Sequence, residues 1–226
     1  MGILFVNRKV LNALNNLTKR EREQLEIEEA IIAKAEELFC KYGFEKVSMD
    51  NIAKESEYTK RTVYRYFTSK EELFFAVASR GYNKLFDMLK SQSQQGKTGF
   101  GKIRLAYYAY YDYFCKYPEL AKLINMAGTV KLSSKDLDKP YRRKYMEVDK
   151  SLFEELIRGF QEGKSDGSIR SELDITHLAL SSIYVAVGFF QMLSVSGDTY
   201  TKYFGINREE FIKFTIERLL EPLKNS

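Results

Sequence analysis

The chain is poor in the residues from which metal sites and disulfide frameworks are built. Its 226 residues include one histidine, two cysteines and three prolines. One imidazole and two separated thiols are too few for a zinc site or a disulfide framework, so the sequence predicts no bound metal, and no motif indicates a cofactor. We expect Cys40 and Cys115 to be small buried apolar residues.

Complete catalytic motifs are also missing. Gly163-Lys-Ser-Asp-Gly167 has the spacing of a nucleophile elbow, but a helical pattern precedes it where that motif needs a strand. His177 lies just downstream, yet no third group is placed to orient it as a general base. The segment 99–101 lacks the third glycine and the preceding strand of a dinucleotide site. We therefore expect the protein not to be an enzyme.

Long hydrophobic runs are scarce. Residues 3–6 are apolar but too few for a signal peptide, so we expect a cytoplasmic protein. Residues 178–195 carry no charge and reach the lower limit of a membrane span. Serines and a glutamine interrupt this run and no Lys/Arg flank anchors it, so we expect a buried helix and no membrane partner.

The sequence also lacks convincing runs of alternating apolar and polar residues, the pattern of strands. Apolar residues recur instead at three- and four-residue spacing, which predicts an all-α fold. The predicted helices lie near residues 18–42, 48–56, 59–67, 69–90, 102–116, 119–127, 140–162, 174–196 and 207–223. Capping residues mark helix starts at Thr18, Ser48, Thr59, Ser69, Asp174 and Asn207. Val10, Leu11, Leu14 and Leu17 outline a further short amphipathic helix. A stretch rich in serine, glutamine and glycine, residues 91–101, is the predicted boundary between two halves.

Positive charge is concentrated locally although the net charge is only +5. Between Tyr58 and Lys70 there are four basic residues and no acidic one. Two predicted helices meet there. The first is capped by Ser48, the second is capped by Thr59 and ends near Phe67, and a tight turn joins them. In this arrangement the second helix enters the major groove of DNA while the first braces the backbone. The segment is therefore predicted to be a helix-turn-helix.

Side chains at the start of the second helix are expected to reach base edges, since arginine and lysine suit guanine and threonine suits a base or a methyl group. These residues are Thr59, Lys60, Arg61 and Thr62. Phenols and residues at helix N-termini are expected to contact phosphate and fix register. These residues are Ser48, Tyr64, Tyr66 and Lys70. The apolar face that joins the two helices is predicted to contain Ile52, Ala53, Tyr58, Val63 and Phe67. The alternative is that the basic residues form an ordinary solvated face.

The stretch SMDNIAKESEYTKRTVYRYFTSKEEL, residues 48–73, resembles the DNA-binding signature of the TetR family of bacterial regulators. Residues 35–43 are similar to the helix that precedes that signature. By this resemblance, Thr59, Lys60 and Thr62 take base-facing places, Tyr64, Tyr66 and Lys70 phosphate places, and Phe67 a core place. The chain departs from the family pattern at Glu57, where glycine is usual, and at Arg61, where a small residue is usual.

The resemblance also implies a domain order and a function. We expect an N-terminal helical extension at 1–25, a three-helix DNA-binding domain with the helix-turn-helix at 26–90, and a helical ligand-binding and dimerisation domain at 91–226. The implied function is a ligand-responsive repressor that binds a palindromic operator as a homodimer. The alternatives are an effector-independent DNA-binding protein whose C-terminal half only dimerises, and a protein-interaction module.

The predicted helix at 102–116 is aromatic or apolar almost all round, so it should be a central helix surrounded by others. A cavity lined by rings with polar tips would suit a small apolar or aromatic effector. The residues expected to line it are Tyr107, Tyr111, Phe114, Met126 and Tyr184. Simple core packing of these side chains is the alternative.

The last two predicted helices are expected to form the dimer. Two helices from each chain would make a four-helix interface with two-fold symmetry, which suits a near-palindromic operator. The residues expected to meet the partner on the last helix are Phe211, Ile212, Ile216, Leu219 and Leu220.

Overall fold

The computed structural model describes residues 17–127, 130 and 139–225, and in these ranges the chain is helical without β-strands. The predicted all-α fold is therefore confirmed. The short helix expected around Val10, Leu11 and Leu14 lies outside the described residues, as does most of the predicted N-terminal extension.

Nine α-helices follow one another along the described residues. They are α1 Lys19–Tyr42, α2 Met49–Glu55, α3 Lys60–Tyr66, α4 Lys70–Ser93, α5 Gly99–Lys116, α6 Pro118–Asn125, α7 Pro140–Ser165, α8 Ile175–Tyr203 and α9 Arg208–Leu220, and a 3₁₀ turn, Glu221–Leu223, ends the series.

Side-chain caps begin many of these helices as the sequence predicts. The Thr18 hydroxyl accepts a hydrogen bond from the Glu21 amide in a reciprocal capping box. Ser48, Thr59, Asp174 and Asn207 likewise accept from backbone amides in the first turns of their helices. At the start of α4 the Glu72 amide donates to Ser69, while the Glu72 carboxylate accepts from Thr68, one residue before the predicted cap.

The contact pattern divides the chain into two compact units, the first ending at Val77 and the second beginning at Ala78. The division falls inside α4, whereas the sequence placed it at residues 91–101. Within that expected linker only residues 94–98 lie between helices, because α4 continues to Ser93 and Thr98 caps α5 through the Gly101 amide.

The core of the first unit is aromatic. The Phe44 ring lies 5.4 Å from that of Phe39 and 4.9 Å from that of Phe74, both in edge-to-face geometry. Ile31, Ile52 and other aliphatic side chains complete this core and are fully buried. This core is built from α1, α2 and the beginning of α4, which together form the surface against which α3 packs.

The second unit is built around α5, as predicted for the aromatic helix. Tyr113 of α5 is fully buried and its hydroxyl donates to the Gly81 carbonyl at 3.1 Å. The N-terminus of α5 lies against α7 so closely that a Cβ on Gly99 would sit 2.0 Å from the Gly163 nitrogen. Cys115, by contrast, is exposed, and the expectation that it is buried is wrong because it lies on the face of α5 away from Tyr107 and Phe114.

Helix α8 is long and apolar enough to cross a membrane by length and composition, and only 28% of its most apolar 18-residue window is buried. A single such helix is weak evidence for a membrane span, because core helices of other proteins pass the same test. The helix also extends to Tyr203, well beyond the predicted end near residue 196.

Candidate nucleic-acid interface and cavity

The helices α2 and α3 are joined by a tight turn centred on Glu57. The Tyr58 amide donates to the Ala53 carbonyl, which closes the end of α2. Glu57 has φ +61° and is the one non-glycine among the described residues with a positive φ. This left-handed conformation is the reason why glycine suits the position.

The two short helices are held together by the predicted apolar face. Ile52, Ala53, Val63 and Phe67 are buried, and Tyr58 is half-buried. Because α3 is anchored by Val63 and Phe67, its first turn and outer face remain accessible.

The first turn of α3 is fixed by two threonines. The Thr59 hydroxyl accepts from the Thr62 amide at 3.1 Å, and the two hydroxyl oxygens lie 2.9 Å apart. Both hydroxyls thus already hold the N-terminus of the helix in shape. Their methyl groups and remaining hydrogen-bonding capacity are what they can offer to a base.

Lys60 is paired within the protein. Its Nζ lies 2.7 Å from one carboxylate oxygen of Asp50 on α2 and 2.9 Å from the other. The hydrogen bond that Lys60 donates to Asp50, followed by the negative charge of Asp50, raises the pKa of Lys60. The pair ties the start of α3 to the start of α2, and both side chains are largely exposed, so the ion pair can open at low cost.

Two further basic residues of the window have partners in the protein. The Arg65 guanidinium lies over the Tyr66 ring at 5.1 Å from its centroid. The Lys70 Nζ donates to the Phe44 carbonyl at 3.0 Å and stands 4.2 Å from the Phe44 ring centroid. Lys70 therefore braces the end of α1 against α4 while keeping a donor for an outside acceptor.

The tyrosines of α3 differ in accessibility. Tyr64 is 43% exposed, so its phenol is available to a phosphate. The Tyr66 hydroxyl is buried and has no hydrogen-bond partner among the described residues. Tyr66 would have to change rotamer to reach a phosphate, and such a change would also supply its missing partner.

Ser48 is exposed at the N-terminus of α2. Its hydroxyl accepts from the Asn51 amide and donates to the Asn51 side-chain oxygen at 2.6 Å. Together with Thr59, Lys60, Arg61, Thr62, Tyr64 and Lys70, it lies in the same helix-turn-helix unit, so the first unit brings together the DNA-contact residues predicted from the sequence.

The second unit contains a partly open cavity of about 460 Å³ lined by α4, α5, α6, α7 and α8. The rings of Tyr82, Tyr107 and Tyr110 contribute to its wall. The other lining residues are Leu85, Leu89, Ala106, Ile124, Asn125, Met146, Asp149, Lys150, Leu152, Phe153, Leu156, Leu180, Ser182, Ile183, Tyr184, Ala186 and Val187. The lining is mainly apolar, with a few polar groups that could orient a ligand.

Of the five residues predicted to line a cavity, Tyr107 and Tyr184 do so. Tyr111 and Phe114 instead face Phe190, whose ring centroid lies 6.0 Å from that of Tyr111 and 5.4 Å from that of Phe114. Met126 is likewise absent from the wall. Phe190 fills the space beside that part of α5, which the sequence of α5 alone could not reveal.

The sequence analysis missed Tyr82, Tyr110 and Asp149. Tyr110 lies one turn from Tyr107, and Tyr82 lies on one face of α4 with Leu85 and Leu89, so helical spacing was the signal available for both.

The phenols of the wall are held by neighbouring polar groups. The Tyr107 hydroxyl donates to the Ser182 carbonyl at 3.4 Å, and the Tyr110 hydroxyl lies 3.5 Å from both amide atoms of Asn125. Burial raises the pKa of Tyr107 and of Tyr110, so both phenols are neutral near pH 7. The wall therefore offers rings and neutral hydroxyls to a bound molecule.

An exposed apolar surface, here called the α8 face, runs along the outside of α8 and past its end. Its members are Tyr184, Met192, Val195, Tyr200, Tyr203, Phe204 and Phe214, each at least 62% exposed. Ile212, Ile216 and Leu220, which the sequence assigned to a partner contact, are buried within their own unit because their four-residue spacing turns them inward together. The outward apolar residue of α9 is Phe214.

Residues 31–77 match the family model "Bacterial regulatory proteins, tetR family". This range spans the second half of α1, all of α2 and α3, and the start of α4. The DNA-binding segment of the chain is therefore similar to that of TetR-family regulators.

Curated transcriptional regulators and solved structures of regulators also resemble this chain. The chain is 33% identical over 86 residues to the uncharacterised regulator YuxN of Bacillus subtilis, a match that covers 37% of this chain and 28% of YuxN. It is 20% identical over 171 residues to the repressor AcnR of Corynebacterium diphtheriae, covering 75% of this chain and 82% of AcnR. The chain thus spans less than a third of the length of YuxN but most of that of AcnR.

The fold of the chain also matches that of AibR, whose structure was solved in complex with isovaleryl coenzyme A and operator DNA. The TM-score is 0.66 at 20% identity, and the match covers 87% of this chain and 99% of AibR. At this identity the likeness establishes the shared fold, including a helical C-terminal unit.

Proposed function

We propose that this protein is a cytoplasmic, ligand-responsive transcriptional repressor that binds a palindromic DNA operator as a homodimer. The observation that carries the proposal is the helix-turn-helix itself. A capped recognition helix presents its first turn to solvent, and the window from Tyr58 to Lys70 contains no acidic side chain. Such a window attracts phosphate electrostatically wherever it docks.

The residues proposed to contact DNA fall into two groups. Thr59, Lys60, Arg61 and Thr62 occupy the first turn of α3, the part of a recognition helix that meets base edges. Ser48, Tyr64, Tyr66 and Lys70 are the proposed phosphate contacts that set register. Lys60 must loosen its ion pair with Asp50 to contact a base, and the exposure of both side chains keeps the cost of that step small.

A second copy of the chain is the proposed occupant of the α8 face. Exposed apolar side chains of this size are rarely left in water as one contiguous surface. A two-fold dimer through α8 and α9 would cover them and would present two copies of α3 to two half-sites of the operator.

The cavity supports ligand responsiveness. Its apolar wall with few polar groups suits a small apolar or aromatic molecule, and AibR, which shares the fold, was solved with isovaleryl coenzyme A. Helix α4 supplies Tyr82, Leu85 and Leu89 to the cavity and begins at Lys70 in the DNA-binding unit. A ligand that shifts α4 would change the spacing of the two recognition helices, so ligand and operator would favour different states.

Selection of bound duplexes from a random pool tests the DNA-binding part of this function. The expected result is enrichment of a near-palindrome whose half-sites lie about one helical turn, or a multiple of a turn, apart. Enrichment of a single unrepeated half-site would contradict the dimer, and a pool without enrichment at low salt would contradict operator binding.

The ligand-responsive part is tested by titrating the enriched duplex with and without an apolar ligand that binds the protein tightly. The expected result is a weaker apparent operator affinity with ligand present. Equal affinity with every tight ligand would favour the alternative, an effector-independent DNA-binding protein whose C-terminal half only dimerises.

A further inference from the structure

Arg61 stands out among the cations of the DNA-binding surface because its side chain is uncommitted. It is exposed in the first turn of α3. Among the described residues its guanidinium has no hydrogen-bond, ion-pair or ring partner. Lys60, Arg65 and Lys70 are held by Asp50, by the Tyr66 ring and by the Phe44 carbonyl, respectively.

The threonines of the same turn are also committed. The Thr59 hydroxyl caps the helix by accepting from the Thr62 amide, and it also pairs with the Thr62 hydroxyl. A threonine hydroxyl discriminates weakly among bases, since it can either donate or accept a hydrogen bond at a base edge. Arg61 is therefore the side chain of this turn that keeps all of its donors for an outside partner.

The chemistry of a free guanidinium at this place favours one partner. Its planar fork of donors matches the paired acceptors O6 and N7 of guanine in the major groove. The N-terminal residues of a recognition helix meet base edges, whereas phosphate contacts come from its flanks. Arginine also holds such a bidentate contact more rigidly than lysine.

We propose that Arg61 sets the base preference of this protein by donating two hydrogen bonds to a guanine in each operator half-site. The inference rests on the proposed function and adds the residue and the base that it reads. Lys60, tied to Asp50, then contributes charge and register more than discrimination.

Parallel selections from a random duplex pool test this inference, using the full-length wild type, Arg61→Ala, Arg61→Lys and the control Arg65→Ala. Arg65→Ala removes the same charge from the same helix, one turn further on. Wild type and Arg65→Ala should enrich the same guanine in each half-site. Arg61→Ala should lose that guanine while keeping the rest of the palindrome, and Arg61→Lys should keep it at lower frequency.

A direct affinity measurement adds a second readout. Wild type should bind the enriched duplex about tenfold to hundredfold more tightly than a duplex in which that guanine is replaced by adenine in one half-site. Arg61→Ala should bind the two duplexes equally. Circular dichroism checks that this exposed helical position tolerates alanine, a strong helix former.

Three outcomes would overturn the inference. Enrichment of the same guanine by Arg61→Ala would show that another residue reads it. A uniform loss of affinity for all duplexes in Arg61→Ala would assign Arg61 to phosphate. A wild-type pool with no enrichment would overturn the proposed function together with this inference, whereas the first two outcomes leave the proposed function intact.

Discussion

Glu57 is the residue at which the turn between α2 and α3 carries strain. Its φ of +61° is costly for a side chain with a Cβ, by about 1 kcal/mol. Replacing Glu57 with glycine should therefore raise the free energy of unfolding by about that amount. Urea titration followed by circular dichroism measures the change.

The matched control is Glu55→Gly, two residues earlier in the last turn of α2. There the backbone is helical, so glycine should lower the stability by up to about 1 kcal/mol. Stabilisation by both substitutions, or by neither, would contradict the assignment of strain to residue 57.

At the scale of single residues, the sequence predicted local pairs and missed distant ones. The caps at Ser48 and Thr59 follow from residues three apart, which the helix brings together whatever the tertiary fold. The Lys60–Asp50 pair spans two helices, and the Lys70–Phe44 contact spans 26 positions. Neither could be predicted without knowing how α1, α2 and α3 pack.

At the scale of elements, the close approach of α5 and α7 depends on a glycine. A Cβ on Gly99 would lie 2.0 Å from the Gly163 nitrogen, a backbone atom that cannot rotate away. Gly99→Ala should therefore destabilise the second unit by about 1–3 kcal/mol, as overpacking does elsewhere. Thermal unfolding measures the loss.

Gly101→Ala on the same helix is the control. Its Cβ would lie 3.3 Å from the Thr98 hydroxyl oxygen and at an ordinary contact distance of 3.7 Å from the Gly96 Cα. Its effect should be small, since alanine's better helix propensity offsets the contact. An equally large loss at both glycines would point to a general weakness of the start of α5 and away from the α5–α7 contact.

The start of α5 also depends on a carboxylate from the turn after α7. Asp166 accepts from the Gly99 amide at 2.7 Å and from the Ser168 amide at 2.9 Å. Hydrogen bonding from Ser168, and then from the Gly99 amide, lowers the pKa of Asp166 below its ordinary value of 3.8. The contribution of this carboxylate to stability is therefore complete above pH 3.8 and is lost as the pH falls through the lowered pKa.

Asp166→Asn should be less stable than the wild type near neutral pH. The difference in unfolding free energy should stay constant down to about pH 5 and shrink as the pH falls below the ordinary carboxyl pKa. Chemical unfolding at a series of pH values measures it. A difference independent of pH would assign the effect of Asp166 to its shape and not to its charge.

The existence and type of each element followed from the sequence because apolar periodicity is a local property. The positions of the helix ends were predicted less accurately. Helix α8 runs to Tyr203 and α4 to Ser93, past the points at which their apolar patterns weaken. A turn at residues 94–96 follows α4, and Gly205 with φ +63° follows α8, so the turns mark these ends and the apolar pattern does not.

At the scale of the whole molecule, the α8 face should decide whether the protein is a dimer. Val195 is 77% exposed in the single chain, so Val195→Glu costs little folding energy unless a partner covers it. If a second copy does so, burying the unpaired carboxylate should shift the protein to monomers. Sedimentation equilibrium measures the shift.

Gln161→Glu, at an exposed position of α7 away from the α8 face, is the control and should leave the mass unchanged. A dimer that persists in Val195→Glu with wild-type affinity would place the interface elsewhere.

The identity of the residues that line the cavity could be predicted from the sequence only in part. The aromatic character of α5 indicated a ring-lined interior, and Tyr107 does line the cavity. Tyr110 contacts both the cavity and the ring of Phe190 on α8, whereas Tyr111 and Phe114 contact Phe190 and are absent from the cavity wall. This difference depends on contacts between distant parts of the chain.

The central claim is that the helix-turn-helix docks on duplex DNA. Titration of a labelled duplex that the protein has selected, followed by fluorescence anisotropy over a range of salt concentrations, tests it most directly. The account predicts that the logarithm of the affinity falls linearly with the logarithm of the salt concentration, and that Tyr64→Phe weakens binding of different sequences to a similar extent. An affinity that does not change with salt and is unaltered in Tyr64→Phe and Lys60→Ala would contradict it.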